Sequence, residues 1–261
     1  MARLVAVWRN HGRCFCFGYD AASVNERHAE VTSVMNNKKT EITGIEARND
    51  KFESNYPREY QTWEATADTS FKSLYNGNQA VDVLEARPEM VILWAGYAFS
   101  KDYSTPRGHM HAIEDMRNTL RVGAPMTENE GPQPATCWTC KSPDVPRMMQ
   151  AMGVDNFYKG KWASLGKEIV NPIGCADCHE PENMNLHISR PALIEAFQRQ
   201  GKDITKATQQ EMRSLVCAQC HVEYYFKGDG KYLTFPWDKG STVEDMELIT
   251  MRPVSPIIRI S

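Results

Sequence analysis

The sequence predicts a mainly α-helical protein with long loops and little strand. Apolar residues recur at helical spacing in short stretches, as at Ile113, Met116 and Leu120. Only two stretches have strand character, residues 89–94 and an edge strand at residues 232–235. Six cysteines in three CxxC pairs indicate that attached cofactors complete the core of this 261-residue chain.

Composition limits the partners and the organisation of the chain. The formal net charge of −3 leaves no basic footprint for nucleic acid. The mean hydropathy is −0.53, and no run reaches the roughly 18 apolar residues that span a bilayer, so we expect a soluble globular protein. Between residues 23 and 136 we expect Tyr60, Trp63 and Phe71 in the core and a loop at residues 127–136.

The spacing of the cysteines points to cofactor attachment. Two of the eight, Cys14 and Cys16, lie in a CFC sequence for which we expect no function. The three CxxC pairs are 34 and 38 residues apart, whereas disulfide scaffolds are short and dense in cysteine. The pairs are Cys137 with Cys140, Cys175 with Cys178, and Cys217 with Cys220.

Two of the pairs are followed at once by a histidine, His179 or His221. CxxCH is the signature of c-type haem attachment: two thiols on one helical face bond the porphyrin, and the histidine ligates the iron. A zinc ribbon is the alternative, but its pairs are usually about 15–20 residues apart. A thioredoxin-like redox pair would not occur three times.

The first pair is followed by Lys141 instead of histidine. Lysine ligates iron only as a neutral amine, so its proton must be displaced. An unusual proximal ligand suggests that the opposite face of that haem stays open for substrate. The residues alone leave two alternatives: a degenerate pair without haem, or a haem with a different axial ligand.

One CxxCK motif followed by two CxxCH motifs resembles the ammonia-forming cytochrome c nitrite reductase family. The resemblance covers about residues 23–247, roughly the N-terminal half of a family member. Similar stretches are residues 106–109, 117–125, 140–145, 160–163, 174–179 and 217–226. It implies a multihaem cytochrome c fold with three haem c groups attached to this chain and a bound calcium ion.

The resemblance also implies roles for single residues. Lys141 would be the proximal ligand of the catalytic haem, with Arg121 and Tyr224 in the active site. Glu223 and the backbone carbonyl of Tyr224 would hold calcium, and His109 would be the distal ligand of the haem on the third motif. Without the resemblance these would be a solvated arginine, an exposed acid, a core tyrosine and a loop histidine. The remaining histidines are expected to be structural or at the surface: His11, His28, His111 and His187.

The implied activity is the six-electron reduction of nitrite to ammonia at the lysine-ligated haem, with bis-histidine haems supplying electrons one at a time. The electron donor would be a membrane-bound or soluble multihaem cytochrome, and the protein would be periplasmic, with membrane association through that donor or an N-terminal anchor. Family members are homodimers through C-terminal helices that lie outside this sequence. One alternative is a truncated, non-catalytic electron-transfer cytochrome. Another is an octahaem relative, which should carry CxxCH motifs before Cys137, and the sequence has none there.

Both ends of the sequence depart from the family pattern. Residues 248–261 read as an aberrant tail, and recoding them in a shifted frame gives a stretch that resembles the family, so we expect a frameshift after about residue 247. Residues 1–22 read as an aberrant leader or targeting segment, because a one-base shift turns residues 8–20 into an apolar stretch typical of a signal peptide. Sequencing the gene through both points tests this expectation.

Overall fold

A computed structural model describes residues 21–33, 39–72, 74, 78–120 and 133–250, apart from the side chains at 249 and 250. Four residues with sequence predictions lie outside these ranges: His11, Cys14, Cys16 and Arg121. Most of the 127–136 loop and most of the two terminal segments also lie outside them. The proposed boundaries at residues 22 and 247 therefore stay predictions.

Short helices joined by long connections make up the first half of the chain. Residues 21–33 form α1. The following helices are α2 (Asp50–Glu53), α3 (Pro57–Glu64), α4 (Val83–Ala86), α5 (Met90–Leu93) and α6 (Ala112–Asn118). Single 3₁₀ turns at Ala65–Ala67, Ala98–Ser100 and His109–His111 connect them.

The second half carries the three CxxC motifs. Its helices are α7 (Asp144–Met152), α8 (Val154–Lys159), α9 (Trp162–Leu165), α10 (Cys175–Cys178), α11 (Pro191–Arg199), α12 (Gln209–Ala218) and α13 (Val243–Thr250). Further 3₁₀ turns lie at Ala135–Trp138, Gly166–Glu168 and Ile204–Lys206. Strands β1 (Tyr225–Lys227) and β2 (Tyr232–Thr234) form an antiparallel hairpin, in which Phe226 pairs with Leu233.

The mainly α fold is confirmed, and so is the strand near residue 232, but two local predictions are wrong. Residues 90–93 are helical and residues 89 and 94 form the flanking turns, because the run Met90–Leu93 follows Pro88 and closes turns through backbone bonds such as Met90 N to Arg87 O at 3.0 Å. Phe71 is 52% exposed, whereas Phe52 and Tyr56 occupy the small core nearby.

Other expectations for the first half are met in part. Tyr60 and Trp63 are half-buried rather than fully buried. In α6, Ile113 and Met116 face the core as their spacing predicts, but the helix ends at Asn118 and leaves Leu120 59% exposed.

The main hydrophobic core lies in the second half, around the first CxxC motif. Trp138, inside that motif, is fully buried and stacks on Trp162 with ring centroids 4.7 Å apart. Its indole nitrogen donates to the Trp162 carbonyl at 2.9 Å. Phe157, Leu193 and other residues of α7, α8 and α11 surround this pair. The first motif is therefore anchored in the larger of the two hydrophobic clusters of the described chain. No helix among the described residues has the length and apolar character to cross a bilayer.

Candidate functional site

The first motif occupies the end of the Ala135–Trp138 turn and the residues that follow it. Thr136 donates its hydroxyl to the Lys231 carbonyl at 2.6 Å, and Thr139 donates its hydroxyl to the Thr136 carbonyl at 2.7 Å. Because Trp138 is packed in the core, the flanking Cys137 and the half-buried Lys141 emerge from a fixed segment of backbone.

The second motif forms the one-turn helix α10. A helix this short leaves nearly all its amide groups without helical partners, and Asn49 supplies one: its side-chain oxygen accepts from the Cys175 amide at 2.9 Å. The Asn49 side-chain nitrogen donates to the Pro172 carbonyl at 3.3 Å. Gly174 permits this approach, because a Cβ there would overlap the Asn49 amide group.

The histidine after the second motif is oriented by its backbone surroundings. His179 Nδ1 lies 2.8 Å from the carbonyl oxygen of Met184, which a turn brings back toward the motif with Met184 at a φ of 59°. A bond from Nδ1–H to a carbonyl fixes the tautomer and leaves Nε2 with its lone pair, which is how iron-ligating histidines are commonly held.

The third motif begins inside α12 and ends just beyond it. Thr208 and Glu211 form a capping box at the start of this helix, with the Thr208 amide donating to Glu211 at 2.8 Å. At the other end the His221 amide donates to the Cys217 carbonyl at 2.8 Å, so the motif continues the helical turn and places His221 next to the attachment cysteines.

His109, from the first half of the chain, faces His221 of the third motif. Their ring centroids are 6.2 Å apart and the ring planes are tilted by 32°. An iron between two imidazoles needs about 6 Å between ring centres, given metal–nitrogen bonds of about 2 Å and about 1 Å from each nitrogen to its ring centre. The separation of the two rings therefore matches that of a bis-histidine haem iron. Burial and the neighbouring His221 lower the pKa of His109, which favours its neutral, iron-binding form.

A buried asparagine holds the turn that carries His109. Asn78 accepts from the Gly108 amide and donates to the carbonyls of Thr66 and Asp68 at 2.5 and 2.6 Å. The Met110 amide donates to the Thr66 hydroxyl at 3.2 Å. Gly108 is required at this point, because a Cβ there would overlap the Thr66 carbonyl oxygen.

The third residue of each CxxC motif is buried and belongs to one polar cluster, which Thr139 joins through its backbone carbonyl. We define the polar hub as Thr139, Asp177, Gln219, Ser189 and Arg190. Gln219 donates to the Asp177 carbonyl at 2.7 Å and accepts from the Ser189 amide at 3.1 Å and the Arg190 amide at 3.2 Å. Arg190 is 1% exposed and pairs with Asp177 at 2.5 Å. The polar hub thus fixes the three motifs relative to one another.

The thiols of the motifs differ in acidity. A hydrogen bond with the Cys220 thiol, helped by the charges of Lys141 and Arg190, lowers the pKa of Cys140 to about 7. The same bond and burial raise the pKa of Cys220. Burial raises the pKa of Cys175 to about 11 and that of Cys178 to about 12. The second cysteines of the first and third motifs therefore lie close enough to affect each other's pKa.

The predicted calcium ligands and active-site tyrosine lie at the surface, just before β1. Glu223 is exposed and Tyr224 is 44% exposed, with its ring centroid 5.8 Å from that of Phe226. Among the described residues, no three histidine, cysteine, aspartate or glutamate side chains converge as metal ligands would.

Two other histidines have structural roles. His111 contacts the Ala67 carbonyl at 3.0 Å and Glu114 at 3.4 Å through its two ring nitrogens. His187 contacts Glu180 at 2.8 Å and the Ala176 carbonyl at 3.2 Å. Both nitrogens of each ring are engaged, so neither histidine is arranged to bind iron.

The chain is similar to several known proteins. The family profile for cytochrome c552 matches residues 48–252. A cytochrome c-552 of Parabacteroides distasonis is 98% identical over 233 residues, covering 89% of this chain and 47% of the relative. A cytochrome c-552 of Bacteroides fragilis is 76% identical with the same coverage. The chain thus spans about half the length of the curated relatives it matches.

A solved structure is similar as well. The catalytic subunit of cytochrome c nitrite reductase from Desulfovibrio desulfuricans, described with two calcium sites, superposes with a TM-score of 0.73. It is 33% identical, and the match covers 80% of this chain and 47% of that chain.

Proposed function

The chain belongs to the cytochrome c552 family, and from that premise we propose that it forms part of a nitrite reductase that makes ammonia at a lysine-ligated haem c. The observation that carries the proposal is the pair of opposed rings, His109 and His221, 6.2 Å apart beside a CxxCH motif. This spacing suits a bis-histidine electron-transfer haem next to the unusual CxxCK motif. The contact between Cys140 and Cys220 brings those two attachment sites together, as electron transfer between them requires.

The residues of this chain would hold three haem c groups. The cysteine pairs would form the thioether bonds, and Lys141, His179 and His221 would each supply a proximal ligand, with His109 as the distal ligand of the third haem. Haem c would supply one-electron transfer and, at the Lys141 site, an iron position for substrate.

Arg121 and Tyr224 would act on the substrate. Nitrite is a small anion, so the guanidinium of Arg121 would bind it and stabilise the negative charge that develops as N–O bonds break. The Tyr224 hydroxyl would donate a hydrogen bond or a proton to the leaving oxygen. Each nitrite takes up six electrons on the way to ammonia, so the bis-histidine sites would deliver electrons repeatedly.

Calcium and the electron donor complete the proposal. Glu223 and the Tyr224 carbonyl supply the hard oxygen donors that calcium prefers. The charge of the calcium ion would raise the reduction potential of the neighbouring active haem. The donor would be a multihaem cytochrome, membrane-bound or soluble, on the periplasmic side of the inner membrane. A homodimer is expected from the family resemblance.

Two measurements on the matured protein test the proposal. Mass spectrometry of the denatured chain should show three haem adducts, and the purified protein should oxidise a reduced viologen dye only when nitrite is present. The matched variant Lys141→His converts the first motif to CxxCH, so it should keep three haems but lose the amine-ligated spectrum and most nitrite turnover.

Each measurement can fail separately. A chain with no haem adducts would refute the attachment sites. Three adducts without nitrite-dependent oxidation would instead favour the second candidate, a non-catalytic electron-transfer cytochrome.

A further inference from the structure

Arg190 is the most buried charge in the polar hub, and its contacts centre on the segment that carries Lys141. Its Nε donates to the Thr139 carbonyl at 2.6 Å and its Nη2 donates to the Ser142 carbonyl at 2.9 Å. These two carbonyls flank the dipeptide Cys140–Lys141 on either side. One guanidinium therefore holds the backbone immediately before and immediately after the predicted attachment cysteine and iron ligand.

We call the two bonds from Arg190 to the Thr139 and Ser142 carbonyls the clamp. The remaining donors of Arg190 connect the clamp to the second motif. Nη2 also donates to the Asp177 carboxylate at 2.5 Å, and Nη1 donates to the Ser189 hydroxyl at 2.6 Å. Ser189 in turn donates to the Asp177 carbonyl at 2.6 Å. A planar guanidinium can satisfy these acceptors together because its donors point outward in a rigid fork, whereas a lysine ammonium is a point charge.

The Ser142 side of the clamp is fixed independently. The Ser142 hydroxyl donates to the Asn171 carbonyl at 2.5 Å, and Asp144 accepts from the backbone amides of Val170 and Asn171 at 2.9 Å each. The Ser142 carbonyl, which accepts from Arg190, therefore belongs to a segment that other hydrogen bonds hold in place. Displacing the guanidinium would therefore change the path of residues 139–141, which lead into this fixed segment, rather than the position of Ser142 or α7.

We propose that Arg190 is a positioning residue for Lys141: by holding the Thr139 and Ser142 carbonyls it sets the direction in which the lysine side chain leaves the backbone toward its iron. The proposal rests on the proposed function, because it requires Lys141 to be an iron ligand. A buried arginine–aspartate pair adds little net stability compared with apolar side chains of similar size, so its main effect here is on geometry. Ligand direction is critical, since small misplacements of a metal ligand weaken its bond.

The test compares two neutral double variants of the haem-loaded full chain. Arg190→Met with Asp177→Asn removes both charges of the hub pair, avoids leaving one of them unpaired, and removes the clamp. Arg199→Met with Asp238→Asn removes another arginine–aspartate pair, also 2.5 Å long, that does not touch a CxxC motif. Near-infrared magnetic circular dichroism and electron paramagnetic resonance, which distinguish amine from imidazole ligands, are recorded with the haem count by mass.

We expect the hub variant to keep three haems and to lose the amine-ligated signal from one of them, while the bis-histidine signals and the control variant are unchanged. Arg190→Lys should lose the same signal, because it restores the charge but not the fork. An unaltered amine signal in the hub variant would overturn the proposal. Equal loss of haem from all three sites would also overturn it, since that would show a general role in folding.

The outcome for the wild-type chain separates the two proposals. A wild-type protein without an amine-ligated haem refutes the proposed role of Lys141 itself. A wild-type protein with that signal, which the hub variant retains, refutes only the role of Arg190.

Discussion

Asn78 offers the sharpest test of how the distal histidine is held. Replacing Asn78 with alanine removes the acceptor of the Gly108 amide and the donor to the Thr66 and Asp68 carbonyls. Asn78 is only 7% exposed, so the Gly108 amide would lose its partner away from water. We expect the turn at His109–His111 to shift and the His109 ring to leave its position opposite His221.

The magnitude follows from the fate of each partner. An unsatisfied buried amide costs about 1–3 kcal/mol, and this applies to Gly108. Thr66 is half-buried and would lose about 1 kcal/mol for its single bond, whereas Asp68 is exposed and its carbonyl can bind water instead. The free energy of unfolding should therefore fall by about 2–4 kcal/mol.

Urea unfolding of the haem-loaded protein, followed by far-ultraviolet circular dichroism, measures the stability, and electron paramagnetic resonance follows the low-spin signal of the third haem. Asn156→Ala is the matched control, because Asn156 is exposed and makes one bond, to the Met152 carbonyl at 2.8 Å. It should change stability by less than about 0.5 kcal/mol. If Asn78→Ala behaved like this control and kept the low-spin signal, the network would not position His109.

Three further predictions concern the core, the alkaline limit and the cofactors. Trp138→Phe loses the stack on Trp162 and the indole hydrogen bond, so urea unfolding should show a loss of about 2–4 kcal/mol. Burial and the hydrogen bond to Glu195 raise the pKa of Tyr232, so the unfolded chain releases this proton first; stability should fall as pH rises above about 10, and less steeply in Tyr232→Phe. Protein made without haem should melt at a lower temperature than the loaded protein, since each haem is a large apolar body that binds only the folded state; equal melting would refute this.

The sequence predicted the mainly α fold class correctly, but not all of the local fold. The haem-binding residues stay predictions that rest on short signatures, because a haem needs two thiols and an axial ligand at fixed spacing. The apolar run Met90–Leu93 carried no such constraint: four apolar residues without alternation fit a helix or a strand, and only the preceding Pro88 favoured the helical turn. Phe71 has Leu74 three residues further on, at helical spacing, yet both side chains are exposed, so this spacing did not mark a buried face.

The supporting polar residues could not be predicted because they carry no motif. Asn49, Asn78 and Arg190 each have partners ten or more residues distant in sequence, such as Cys175 for Asn49 and Thr139 for Arg190. Their burial is a property of the folded chain rather than of any local pattern. Arg121 and the calcium ligands remain predictions from the family resemblance.

The burial of the third residue in each motif changes how the signature itself should be understood. A search pattern written CxxCH treats the two inner letters as wild cards, yet Thr139, Asp177 and Gln219 are 0%, 2% and 2% exposed and are all hydrogen-bonded. The three motifs therefore cannot be exchanged for one another without loss of hydrogen bonds. Exchanging the second and third pentapeptides would keep both cysteines and the histidine of each motif and still remove the Asp177 carboxylate that pairs with Arg190 and the Gln219 amide that donates to the Asp177 carbonyl.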